Sequence, residues 1–187
     1  MLFRSSWLLQ GGRLTDPIRA RLGELGQESV TRWLESVPPP PANAHAELPF
    51  EWLVDGVPLV GVLDRVEESS PGCWRIIDYK VSVRRKSDAD LAALYGAQLE
   101  IYAGALDRLV KPREVSAALV QITPEGVFET ELPLERTGLS ARVERLASRA
   151  REIASRVGQG ASPGEIAATP GPACRSCAFR SRCDSSG

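Results

Sequence analysis

Long apolar runs are missing from this sequence: no segment is apolar over the length needed to cross a bilayer. The first ten residues carry one arginine and no apolar stretch with a small-residue cleavage site, so they do not read as a secretory signal. The expected location is therefore cytoplasmic, with no membrane partner. Charge of one sign is missing too. Twenty-three Lys+Arg stand against 24 Asp+Glu, a net charge of −1, so no global basic field announces nucleic acid and any basic surface has to be local. Histidine is nearly absent. The one copy, His45, lies between small residues in a proline-rich connector and reads as a solvent-exposed bystander. Cysteine is scarce and uneven, with Cys73 alone and three copies near the C-terminus. In a reducing compartment such a cluster suggests a metal or cluster site before disulfides.

What is present is ordinary for a globular chain: 43% hydrophobic and 25% charged residues over 187 positions, enough to bury a core. The length favours one domain, taken as residues 1–160, followed by a cysteine-containing tail, 161–187. Helical spacing of Ile18, Leu22, Leu25, Val30, Trp33 and Leu34 predicts a helix over Ile18–Ser36, stopped by Pro38–Pro41. An irregular or polyproline-like connector runs on to about Ala46. Strands follow at Leu48–Val54, in "VPLVGVLDRVEE" and in "CWRIIDYKVSV", the last two joined by a turn at Ser69–Gly72. A helix over about Asp88–Val110 comes next, then a hairpin around Pro124–Gly126 and a helix over about Ser140–Val157. The order α-βββ-α-ββ-α predicts an α+β fold with a mixed sheet.

Two aspartates and a lysine interrupt the predicted strands. Val60, Val62, Asp64 and Val66 share one face by alternation, so Asp64 stands in an apolar row. Asp78 and Lys80 share a face of the next strand, about 7 Å apart. If the hairpin turns near Pro71, Asp64 lies opposite Asp78, and like charges so placed are destabilising. Two carboxylates about 4 Å apart repel by about 4 kcal/mol at an effective dielectric of about 20. Lys80 could offset part of that, and a divalent ion with oxygen ligands more, Mg2+ being suited to carboxylates plus waters. The alternative is that Asp64 and Arg65 simply sit solvated at a strand end. On the following helix Gln98 and Tyr102 are one turn apart and share a face, with Tyr95 a turn earlier.

Together "GVLDRVE", "IIDYK" and "QLEIY" resemble the RecB-type branch of the PD-(D/E)XK nuclease superfamily, which includes helicase-associated and CRISPR adaptation nucleases. The likeness runs from about Leu22 to Cys183. It rests on the order G-x-x-D, D-x-K, Q-x-x-x-Y and implies a restriction-endonuclease-like core, a central mixed sheet flanked by helices. It implies catalytic roles for Asp64, Asp78 and Lys80. Asp64, Asp78 and the Tyr79 backbone carbonyl would hold Mg2+ or Mn2+, and Lys80 would position or activate the attacking water. Gln98 and Tyr102 would contact nucleic acid beside the metal, and Glu47 in "AELPF" matches an upstream glutamate of such chains. Arg84, Arg85 and Lys86 could hold the backbone of a single strand, or form a solvated loop.

The chain departs from that pattern twice. "LGELGQESV" aligns with L-G-x-L-x-H-x-x-L, so Gln27 takes the slot of a metal-ligating histidine. Cys174, Cys177 and Cys183 form C-x2-C-x5-C, similar to the tail of the iron–sulfur members, where it would complete a [4Fe-4S] cluster. Residues 1–72 contain no cysteine to serve as the fourth ligand. The natural chain begins upstream of Met1, or the ligand is not a cysteine, or the site holds zinc or nothing. The expected activity is a Mg2+/Mn2+-dependent deoxyribonuclease acting on single strands or ends in repair, recombination or CRISPR adaptation, with a helicase or recombination partner. The alternatives are a weakened or inactive nuclease fold serving as a DNA-binding accessory subunit, and a metal-stabilised interaction domain in which the acidic pair is incidental.

Overall fold

The computed structural model describes residues 15–162, 165–166, 170–171 and 174. In chain order these form α1 (Asp16–Ser36), β1 (Ala44–Val54), β2 (Val57–Ser70), β3 (Cys73–Val81), α2 (Asp88–Val110), β4 (Glu114–Thr123), β5 (Gly126–Leu132) and α3 (Leu139–Gly158). The strands make one five-stranded sheet in the order β1-β2-β3-β4-β5. β1–β2 and β2–β3 are antiparallel. β3 and β4 run parallel: the Gly72 carbonyl accepts from the Arg113 and Glu114 N–H groups at one end, and Ser82 N–H donates to the Ile122 carbonyl at the other. α2 is the crossover that a parallel pair requires. The expected α+β layout with a mixed sheet is the one the chain adopts.

By residue contacts the chain divides into two units. Among the described residues, one comprises 15–39, Tyr79–Arg85 and Val120–Thr130. The other comprises Pro40–Asp78, Lys86–Leu119 and the described residues from Glu131 onward. In the first, Pro17 opens α1, where its missing N–H costs nothing, and the helix ends at Val37 before the prolines. Only Ser29 of α1 is buried, its hydroxyl donating to the Leu25 carbonyl at 2.8 Å. Ile18 and Leu34 stay exposed, so the apolar stripe is only partly used. Trp33 meets the Tyr79 ring edge-on at 5.8 Å, and the Arg85 guanidinium lies 4.4 Å from the centre of the Phe128 ring.

The second unit holds the core. Phe50, Trp52 and Val54 of β1, Leu63 and Val66 of β2 and Ile76 of β3 join Leu91, Leu99, Tyr102 and Leu106 of α2 and Leu139, Val143 and Ala147 of α3. Each large side chain buried there contributes about 1.5–3 kcal/mol. β1 turns into β2 at Asp55–Gly56, both with positive φ (47° and 77°), as a two-residue hairpin requires. Ser87 caps α2 by accepting from Asp90 N–H at 3.1 Å, and Asp88 and Asp90 place negative charge on its first turn. Arg142 of α3 pairs with Glu100 of α2 and donates to the Thr137 carbonyl at 2.7 Å.

Candidate active site

β2 and β3 pair Arg65 with Ile77 and Val66 with Ile76. One residue further along that register, Asp64 stands opposite Asp78. On the other side of β2, Ala46 pairs with Arg65 and Leu48 with Leu63, which brackets Glu47 against Asp64. Three acidic residues thus occupy one row across three strands.

The row coincides with a change in which side of the ribbon is interior. Phe50, Trp52 and Val54 are buried and stand opposite Gly61, Leu59 and Val57. Beyond the row the interior passes to the other parity, with Val66 and Ile76 both fully buried and paired. The apolar row Val60–Val62–Asp64–Val66 expected from strict alternation is therefore not one interior row: Val60 is 72% exposed and Val62 40%, whereas Val66 is wholly buried. The backbone marks the switch, since Glu47 is left-handed at φ 52°. A non-glycine residue held there costs about 1–2 kcal/mol, and such strain clusters at functional sites. Glu47 itself is exposed.

α2 closes over the acid pair. Gln98 Nε2 donates to the Tyr102 hydroxyl at 2.7 Å, one helical turn away. Burial raises the Tyr102 pKa above its ordinary value; the Gln98 bond lowers it in part, and the negative charges of Asp78 and Asp64 raise it again. The phenol therefore lies within electrostatic reach of both carboxylates. Asp78 is 1% exposed, with both carboxylate oxygens shut off from solvent, while Asp64 is half-buried. Phe50 supports Tyr102 from β1 through an edge-to-face contact at 5.9 Å. Gly61 makes room for that ring, because a Cβ there would lie 2.7 Å from Phe50 Cζ. This gives the glycine of G-x-x-D a packing role that the motif alone does not explain.

Lys80 follows Asp78 by two residues on β3, so strand alternation sends both side chains from the same face. Tyr79 between them turns its ring the other way, to Trp33. Arg84 and Arg85 are exposed and Lys86 half-buried in the segment after β3. Gln27 is exposed on α1, beside a shallow groove that it lines with Glu24, Glu28, Thr31, Arg32 and Glu35. The connector ends earlier than expected, since β1 begins at Ala44. His45 is therefore a strand residue, exposed and stacked on Trp74 with centroids 6.2 Å apart and planes 17° apart. Pairing with Val66 in the ladder, rather than the composition around it, decides its place. Cys73 opens β3, and its Sγ accepts from Arg113 at 3.1 Å and approaches Glu114 at 3.6 Å. Cys174 is described and carries a free thiol. Cys177 and Cys183 lie outside the described residues.

Among the described residues no three His, Cys, Asp or Glu side chains converge on one metal position. What Asp64 and Asp78 offer is a pair of hard oxygen donors on adjacent strands. That suits a small divalent ion which keeps several waters and takes one or two carboxylates. The donor set fits Mg2+ or Mn2+ and is unsuited to a thiolate-bound cluster.

An acid pair at the bend of an antiparallel ribbon, a strand lysine two residues on and a Gln–Tyr helix face above it together describe a nuclease fold. The chain belongs to the PD-(D/E)XK nuclease superfamily, whose family model matches residues 6–184. Members are in general metal-dependent enzymes that cleave phosphodiester bonds, and a nucleic acid is the substrate such a fold implies. Among solved structures the chain is similar to "Crystal structure of SSO0001", with 21% identity and a TM-score of 0.44, covering 98% of this chain and 77% of that one. No curated protein matches it. No helix among the described residues is long and apolar enough to cross a membrane.

Proposed function

We propose that the protein is a Mg2+- or Mn2+-dependent deoxyribonuclease of the RecB-type branch, acting on single strands or ends. The observation that carries this is Asp64 and Asp78 at matching positions of adjoining strands, with the Tyr102 phenol within electrostatic reach of both. The ordered motifs G-x-x-D, D-x-K and Q-x-x-x-Y support the branch. In this reading Asp64, Asp78 and the Tyr79 carbonyl would hold the ion, with Glu47 as a further oxygen donor. Bound there, a divalent ion supplies Lewis acidity toward the phosphoryl oxygen and a more acidic water.

The chain's own residues do the rest. Lys80 orients the attacking water and sets positive charge where the phosphorane-like transition state gathers negative charge. The water oxygen bonds to phosphorus, the bond to the leaving oxygen breaks, and a proton ends on that oxygen. No covalent enzyme intermediate is needed. Gln98 and Tyr102 position the strand beside the acid pair, and Arg84, Arg85 and Lys86 hold its phosphates without reading sequence. Repair, recombination or CRISPR adaptation, alongside a helicase, is the setting that the branch suggests.

The test is cleavage of single- and double-stranded DNA and of RNA with each ion. Activity abolished by Asp78→Ala and by Lys80→Ala is expected. Failure of the wild-type protein to cut any of these substrates with either ion overturns the proposal.

One observation favours a second role, that of a weakened nuclease serving as a DNA-binding subunit. Gln27, in the slot where the resemblance expects a histidine ligand, is exposed among glutamates. That role predicts metal-independent DNA binding that Asp64 and Asp78 do not control. The cysteine tail is a separate proposal: Cys174, Cys177 and Cys183 bind an iron–sulfur cluster or zinc. Iron, sulfide and zinc content after anaerobic purification decides it.

A further inference from the structure

We propose that His45, backed by Trp74, is a stacking platform for an unpaired nucleobase next to the scissile phosphate; this rests on the nuclease reading of the acid pair. The ladder fixes the geometry. His45 pairs with Val66, and Val66 pairs with Ile76, so these three form a row two residues along the strands from Glu47, Asp64 and Asp78. Directly opposed residues share a sheet face, and Ile76 and Asp78 are two apart on β3, so His45 stands on the face that carries Asp78. It lies two residues from the acidic row, about 7 Å along the strand. Trp74 leaves β3 on that same face, four residues before Asp78.

The two rings differ in exposure, and the difference matters. Trp74 is half-buried and packed against the core, so its plane is held. His45 is exposed on β1, an outer strand of the sheet, with its imidazole nearly parallel to the indole. A ring fixed from behind and open to solvent is what a base needs in order to stack without sequence preference. On the same face Glu68, paired with Trp74 across the ladder, is acidic, so phosphate is a poor ligand for this patch. The flat, uncharged face of a base is a good one. A duplex keeps its bases stacked on each other, so the platform favours single strands or frayed ends.

The experiment measures anisotropy of short fluorescent single strands, DNA and RNA in separate arms, bound to the full-length protein in chelator so that no cleavage intervenes. His45→Ala is expected to bind about tenfold more weakly, the effect of losing one base–aromatic stack. His45→Phe should restore binding, which an imidazole charge or hydrogen bond would not allow. Replacing single bases by abasic sites should weaken the wild-type protein at one nucleotide and leave His45→Ala unaffected there. Wild-type affinity in His45→Ala, loss not rescued by phenylalanine, equal sensitivity at every abasic position, or no single-strand binding by the wild-type protein would each overturn the proposal. A nuclease that cuts normally while failing this test loses the platform alone. A protein that passes it but cuts nothing loses the catalytic reading alone.

Discussion

Asp64 continues the β2–β3 register to the position opposite Asp78, and both carboxylates lie within electrostatic reach of the Tyr102 phenol. Their juxtaposition is unfavourable until a cation is shared between them. A ligand that binds only the folded state at 100 times its Kd stabilises by about 2.7 kcal/mol. For a chain of this size that raises Tm by roughly 5–10 °C. Thermal unfolding with and without Mn2+ should show this shift in the wild-type protein and none in Asp64→Asn or Asp78→Asn.

Tyr102 should titrate late in a spectrophotometric alkaline titration, because burial first and the acid pair second raise its pKa above 10.0. A raised folded-state pKa means that its contribution to stability is complete below the unfolded value. That contribution is lost as pH climbs through the folded one. The protein should therefore lose stability from about pH 10 upward, and Tyr102→Phe should remove both the late-titrating component and that part of the loss. Asp64→Asn should bring the late component down slightly, since burial remains the main cause.

Gly61→Ala should destabilise by about 1–3 kcal/mol, the usual cost of overpacking, since the added methyl meets the Phe50 ring. Because Phe50 supports Tyr102, catalytic activity should fall more than the change in Tm accounts for. Denaturant unfolding and steady-state kinetics on one preparation separate the two effects.

Replacing Arg84, Arg85 and Lys86 together by alanine should flatten the salt dependence of single-strand binding. At about 0.7 units of log–log slope per phosphate contact, three lost contacts reduce the slope by roughly 2. An unchanged slope would mark the segment as a solvated loop. The fold should survive, since Arg84 and Arg85 are exposed.

Much of the architecture was legible in the sequence because periodicity and turn residues carried it. The helix expected over Asp88–Val110 is α2 to the residue, held by the Ser87 cap at one end and by Lys111–Pro112 at the other. The two strands around the acids also fall where their alternation and the Pro71–Gly72 turn put them. What alternation could not disclose was its own interruption. Val60 and Asp64 have the same parity, yet the ribbon changes its interior side between Leu63 and Val66, and only the pairing partners reveal it. The packing of Phe50 against the G-x-x-D glycine, Gly61, was not legible for a related reason. Their contact joins residues eleven apart through a hairpin, and nothing in either residue alone announces a partner. His45 was hidden by its proline-rich neighbourhood, which reads as connector although the strand has already begun.

The left-handed backbone at Glu47 also bears on how the molecule avoids its own kind. β1 is an outer strand, and an outer strand with free N–H and C=O groups invites another chain to add itself by hydrogen bonding. Glu47 breaks the regular spacing of that edge, and Pro49, two residues on, withholds a donor from it. The left-handed residue in the acidic row thus also guards this margin, outer among the described residues, against self-association.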